Sequence, residues 1–214
     1  MLMRTRQEIK AIAKEAMKAQ RGTAILLLVV YTALTLVGSL ISAIPILGAI
    51  ASIAYLIAIV VISVGLNGGY VKIYRGIAAT VNDLFSGFND TFMRKCGGML
   101  WVELWVCLWS MLFLIPGIIK MYSYMLTPYI LGEYPNVKAT DAIKLSMRMT
   151  DGHKGELFMM QLSFFGWTLL STLTFHILGV LYVFPYMNTA MAGCYTELRD
   201  LALTTGVVRP EELM

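Results

Sequence analysis

Charge is scarce in this chain, and the scarcity is local. Asp, Glu, Lys and Arg make up 14% of 214 residues, against about 25% in an ordinary soluble domain. No formal charge occurs from Gly22 to Val71 or from Leu157 to Thr196, and from Cys96 to Gly132 only Glu103 and Lys120 are charged. A soluble core does not need uncharged runs of that length. A helix rises about 1.5 Å per residue and a bilayer's hydrocarbon core is roughly 30 Å thick, so one crossing takes about 20 residues. Each run is too long for one crossing and suits two. Open strands are excluded, because lipid offers no partner to an unpaired sheet edge. A closed barrel would need apolar and polar residues in alternation, and these runs are apolar on every face.

Chemical motifs are missing too. The three cysteines, Cys96, Cys107 and Cys194, are widely spaced and form no CxxC, so they read as free thiols with no metal site. There are two histidines, and no HExxH, GxSxG, Walker loop or paired intramembrane carboxylates. General acid–base or nucleophilic catalysis has almost no residues to use at membrane depth. No cofactor is expected.

What is present is a topology. Ile44-Pro45-Ile46-Leu47-Gly48, Ile115-Pro116-Gly117 and His176-Ile177-Leu178-Gly179 split the three runs into hairpins, since Pro removes a donor and Gly permits positive φ. The stretch FFGWTLLSTLTFHILGVLYVFPY (164–186) is then two segments with a turn at 175–179, and His176 sits near water. With all three turns outside, segments 1–21, 72–95, 133–156 and 197–214 lie inside. They hold every Lys and Arg except Lys120, as the positive-inside rule requires. The net charge of +4 follows from these loops and calls for no nucleic-acid partner. The fold class is all-α: a polytopic integral membrane protein of six transmembrane helices in three hairpins (22–71, 96–132 and 157–196). A five-span alternative makes residues 99–131 one tilted helix and moves the basic 133–156 segment to the other side.

The inside segments are patterned as amphipathic interfacial helices. In residues 4–22, Ile9, Ile12, Ala13, Ala16 and Met17 recur at helical spacing, with Arg6, Lys10, Lys14 and Lys18 stepping along another face. Val81, Leu84, Phe85, Phe88 and Phe92 form a second stripe. Ala142, Leu145 and Met149 form a third, with Thr140 as cap and Gly152 as stop.

The segments YSYMLTPYILGEYPNVKATDAIKLSMRMTDGHKGELFMMQLSFFGW and GVLYVFPYMNTAMAGCYTEL resemble the domain-of-unknown-function 975 family of bacterial integral membrane proteins. TRQEIKAIAKEAMK resembles that family's start. The most specific stretch runs from Ala142-Ile143 through Ser146, Gly152-His153-Lys154 and Leu157-Phe158 to Leu162-Ser163-Phe164 and Gly166-Trp167. Pro185-Tyr186 and Tyr195 follow. His176 departs from the glycine expected at its place. The resemblance implies a bacterial plasma membrane location and no particular activity.

Few residues suggest a site. Lys10, Lys14, Lys18, Arg148, His153 and Lys154 are candidates for contact with lipid head groups or a partner, or ordinary positive-inside anchors. Asn67, Glu103, Gln161, His176 and Asn188 are polar positions within or beside the spans. Trp101, Trp105 and Trp109 line one face of the third span. Gly65, Gly68 and Gly69, with Gly48 and Ser52, suit close helix packing. Pro128 and Pro185 are expected to kink spans four and six. The leading expectation is a non-enzymatic accessory or interaction protein with a basic cytoplasmic collar and cytoplasmic termini. The alternative is a small transporter or exporter. A lipid-modifying enzyme would have only Glu103, His153 and His176 to work with.

Overall fold

The computed structural model describes residues 4–42, 47–88 and 91–213, with every side chain in them except those of residues 42, 47–50, 112 and 114. The described residues are helical and include no strand. The order is α1 (Arg6–Ala19), α2 (Arg21–Ser42), α3 (Leu47–Tyr74), a 3-10 turn (Val81–Phe85), α4 (Phe92–Leu112), α5 (Leu114–Tyr124), α6 (Thr127–Glu133), α7 (Ala139–Thr150), α8 (Lys154–Leu162), α9 (Phe165–Leu173), a π-helical turn (Gly179–Val183), α10 (Phe184–Thr204) and a last 3-10 turn (Pro210–Leu213). Among the described residues two helices are long and apolar enough to cross a membrane, over Arg21–Ile41 and Ala51–Tyr74.

Three hairpins are recognisable. α2 packs on α3, α4 on α5, and α9 on the π turn that leads into α10. The first hairpin's turn, at 44–46, lies outside the described residues. The second hairpin turns at Phe113, whose extended backbone (φ −153°, ψ 132°) separates α4 from α5. That is two residues before the expected Ile115-Pro116-Gly117. Pro116 falls in the first turn of α5, where its missing N–H costs nothing, and Gly117 lies so close to Ser110 that a Cβ would strike the α4 backbone.

The third hairpin turns where the sequence indicates. α9 ends at Leu173, and Phe175 and His176 both take positive φ (50° and 64°). Left-handed backbone is costly for L-residues other than glycine, which accounts for the glycine expected at 176. His176 is exposed at the tip and stacks on Phe184, with ring centroids 6.5 Å apart. Gly179 is demanded by contact with Ser171 and Phe184. Pro185 has no N–H to give, and the turn before it widens so that Phe184 N–H reaches back to the Gly179 carbonyl.

The charged segments between the hairpins differ most from expectation. α1 opens with a capping box between Thr5 and Glu8, and its Ile9, Ala13 and Met17 are buried. They pack on the protein itself, chiefly on α10 and α3, and not on an external surface. The second stripe is not one helix. Residues 81–85 form a short 3-10 turn that runs back along α3, with Leu84 fully buried, and Phe92 already belongs to α4. Gly65 and Gly87 permit this: a Cβ on either would strike backbone, Leu84 and Asp83 carbonyl oxygens for Gly65 and Val61 for Gly87. The third stripe forms α7 and is buried, Ser146 and Thr150 included.

α7 also repairs the fourth segment. Pro128 cannot donate to the turn before it, and the chain breaks between α5 and α6. The Ser146 hydroxyl fills the gap, accepting from Leu126 N–H at 3.2 Å and donating to the Ser123 carbonyl at 2.8 Å.

Candidate functional site

At the end of the bundle opposite the tips, Arg75, Tyr195 and Arg199 meet at Glu133. This carboxylate closes α6. Its Oε1 accepts from Arg75 Nη1 at 2.8 Å and Arg199 Nη1 at 2.6 Å, and its Oε2 accepts from Arg75 Nη2 at 3.1 Å and the Tyr195 hydroxyl at 2.6 Å. Arg75 thus binds in the two-pronged form that favours guanidinium–carboxylate recognition. Arg199 is shared with Asp200, whose Oδ1 accepts from Nε at 2.9 Å and Nη2 at 2.6 Å. The Tyr195 ring stacks on Tyr129, centroids 4.9 Å apart.

Burial alone would raise the Glu133 pKa; the hydrogen bonds from Arg75 and Tyr195 and the two positive charges outweigh it and hold the carboxyl below its ordinary range. Burial would lower Arg199, but Asp200 and Glu133 hold it above its ordinary value. A carboxylate already accepting four hydrogen bonds makes a poor proton acceptor. The cluster is a clamp that joins the end of α3 to α6 and α10.

Beside the clamp, a cavity of about 340 Å³ opens between α3, the 3-10 turn and α6. Gly65, Gly68, Lys72, Arg75, Asp83 and Glu133 contribute to its wall. Lys72 pairs with Asp83 at 2.7 Å. Next along, Arg94 donates to the Leu131 and Val137 carbonyls, closing the C-terminal end of α6.

A second basic feature is the seam between α1 and α8. Arg6 Nη1 donates to the Met159 carbonyl at 3.4 Å, and Lys10 Nζ to the Ser163 hydroxyl at 3.2 Å. The Lys10 ammonium also lies 4.2 Å from the centre of the Phe164 ring. Burial, then the charge of Arg6, lowers the Lys10 pKa.

The expected contact residues do not form one collar. Lys14 and Lys18 are exposed, and Lys18 pairs with Glu15 on its own helix. Arg148 pairs with Glu212 at 2.7 Å, which pins the C-terminal turn to α7. His153 faces Glu156 at 3.3 Å, and Lys154 faces Asp151 at 3.8 Å. The polar positions are scattered as well. Asn67 bonds the Ser63 carbonyl within its own helix. Gln161 accepts from the Tyr122 hydroxyl at 2.6 Å. Asn188 is half-buried on α10 near the hydroxyl of Tyr70, which donates to the Ala24 carbonyl. Glu103 is exposed on α4. Trp101 and Trp105 meet edge to face, and Lys120 lies over Trp109. His153 and His176 stand at opposite ends of the α8–α9 arm, so they do not form a joint site. Among the described residues no group of three His, Cys, Asp or Glu side chains is placed to hold a metal ion.

Sequence reasoning missed the clamp because Arg75, Glu133 and Arg199 are far apart in the chain and each reads as a loop charge. The one local signal is the charge that ends the run YILGEY, directly after Gly132.

Residues 112–202 match a family model described as "Protein of unknown function (DUF975)". The chain resembles that family. The match runs from the end of α4 through most of α10, and so contains Glu133, Tyr195, Arg199 and Ser146. No curated protein and no solved structure matches the chain.

Ser146 offers a direct test of the packing in that region. Ser146→Ala removes both bonds across the α5–α6 break and leaves Leu126 N–H and the Ser123 carbonyl without the hydroxyl. The expected cost is about 2 kcal/mol, for two buried backbone groups left partly unpaired. Thermal unfolding in detergent measures it, with Ser146→Thr as the hydroxyl-retaining control.

Proposed function

We propose that the chain is a non-enzymatic, multi-pass protein of a bacterial cytoplasmic membrane. Six segments enter the bilayer as three hairpins, within residues 22–71, 96–132 and 157–196. Both termini and segments 72–95 and 133–156 face the cytoplasm. In this reading the protein acts as an accessory or interaction component, engaging lipid head groups or a partner at that face.

One segregation supports the reading. Large apolar side chains are exposed toward the tips of the hairpins: Leu36 and Leu40, Met111 and Phe113, Leu173 and Phe175. Ion pairs gather at the opposite ends, where Glu133, Asp83, Glu197 and Glu212 meet their cations. Apolar surface of this extent favours lipid over water, and ionised pairs favour the wet side.

The experiment is thiol accessibility. With Cys96, Cys107 and Cys194 replaced and one cysteine placed at Asn136, which is exposed between α6 and α7, intact cells are treated with a membrane-impermeant reagent. Protection until the cells are opened is the expected result. Reaction in intact cells would put α7 outside and remove the shared cytoplasmic face.

The cavity beside the clamp favours a second reading, transport of a small polar solute. Its glycine-lined wall and charged rim suit a solute that enters from the inner side. Flux in liposomes that falls when Gly68→Leu fills the cavity would support it.

A further inference from the structure

The cavity beside the clamp has donors to spare in its wall and no idle carboxylate. Glu133 already accepts four hydrogen bonds. Asp83 receives Lys72 on Oδ1 at 2.7 Å and the Thr80 N–H on Oδ2 at 2.9 Å. Lys72 is different. Among the described residues its ammonium donates only to Asp83, so two of its three N–H bonds remain open to another acceptor.

The charge balance leans the same way. Arg75 and Arg199 share Glu133, and Arg199 also holds Asp200. Ser86, another residue of the wall, gives its carbonyl to the Lys95 ammonium at 3.0 Å. Lys95 is 4% exposed and forms no ion pair among the described residues. Burial, then the charge of Arg94, lowers its pKa. Lys72, Arg75, Arg199 and Lys95 are thus set against Asp83, Glu133 and Asp200, which leaves one positive charge uncompensated beside the cavity among the described residues. A buried cation without a counter-charge is costly, and an anion that enters beside it offsets that cost.

Space is available on the same side. Gly68 borders the cavity, and nothing lies within 4 Å of the position its Cβ would take. A volume of about 340 Å³ is at the small end for ligand sites.

We propose that this cavity binds a small oxyanion, a carboxylate or phosphate group, at the Lys72 ammonium and against the open face of α3 at Gly68. The inference rests on the transport reading for the cavity's role as a solute site, and it narrows the solute to a small anion.

The test uses the full chain in detergent micelles and calorimetric titration with succinate, inorganic phosphate or choline. Binding of either anion, and none of choline, is expected; phosphate alone assigns a phosphate group, and succinate alone a carboxylate. Gly68→Leu should weaken anion binding about tenfold or more, since its side chain fills the space. Gly97→Leu should leave it within about twofold, because Gly97 also has nothing near its Cβ position but stands on α4, outside the cavity wall. Asp83→Asn should tighten binding about threefold, because a neighbouring negative charge is lost while the side chain still accepts from Thr80. A merely structural role for Asp83 would give weaker binding instead. Binding of neither anion, equal binding of choline, wild-type affinity in Gly68→Leu, or weaker binding in Asp83→Asn would each overturn the site. Anion binding without flux in liposomes removes the transport reading and keeps the site. Flux that Gly68→Leu stops, with no anion binding, removes the site and keeps transport.

Discussion

Glu133→Ala is expected to lower the stability of the folded protein by about 3 kcal/mol, the low end for breaking an ion pair that is partly buried. The Glu133 side chain is 22% exposed, so water screens some of the loss. Removing it leaves Arg75 without a counter-charge, leaves Arg199 with Asp200 alone, and strips the Tyr195 hydroxyl of its acceptor. Thermal unfolding in detergent, followed by tryptophan fluorescence, checks the magnitude. Adding Arg199→Ala should cost less than the two single changes summed, because both changes remove the same Glu133–Arg199 contact. A wild-type melting temperature for Glu133→Ala would show that the clamp does not hold the hairpins together.

The pH dependence follows from the same carboxyl. Its folded pKa lies below the ordinary 4.5, so the folded state binds its proton less readily than the unfolded chain does. The contribution is fully present above pH 4.5 and is lost as pH falls through the lower, folded value. Between pH 5 and 8 the cluster should give no pH-dependent change in stability, and Glu133→Ala should flatten the acid limb below about 4.5.

The second large effect is expected at Gly65. A Cβ there would strike the carbonyl oxygens of Leu84 and Asp83, which are backbone and cannot rotate away. Gly65→Ala should therefore lift the 3-10 turn off α3, expose Leu84 and strain the Lys72–Asp83 pair, at about 3 kcal/mol by analogy with overpacked cores. Gly68, three residues on, has nothing within 4 Å of its Cβ position. Gly68→Ala should be neutral or stabilising by up to about 1 kcal/mol, the helix-propensity difference between the two residues. Comparing the two melting temperatures isolates the close approach from a general effect of glycine in a helix. Equal shifts would mean that the turn does not press on α3.

Much of the architecture was legible in residue order. The uncharged runs marked the hairpins, and the histidine turn at 175–179 formed where the breakers predict, whereas Thr140, expected as a cap, lies inside α7, which begins after Lys138. Apolar periodicity correctly identified Ile9, Ala13 and Met17, and Ala142, Leu145 and Met149, as one-sided faces. It did not say what those faces meet. Period and spacing report which side of a helix avoids water, and lipid and a neighbouring helix satisfy that demand equally. Phe85, Phe88 and Phe92 matched a helical template, yet Phe85 and Phe92 belong to two elements and Phe88 lies between them, because two glycines on either side of a contact let the chain run back along α3, and that contact is not local.

Local sequence also fixed where breaks must fall, since Pro128 and Pro185 lack an N–H wherever they stand. Only the tertiary structure decided how the breaks are satisfied, by a hydroxyl twenty residues from its partner (Ser146 to Leu126) in one case and by a widened turn in the other. The same division holds for charge. The spacing of the charges leads only to the expectation that the basic residues other than Lys120 share one side. Which of them are neutralised, as Arg75 and Arg199 are by Glu133, and which reach only backbone carbonyls among the described residues, as Arg94 does, depends on distances of a few ångströms between residues far apart in the chain, because an ion pair is set by separation in space and not by position in sequence.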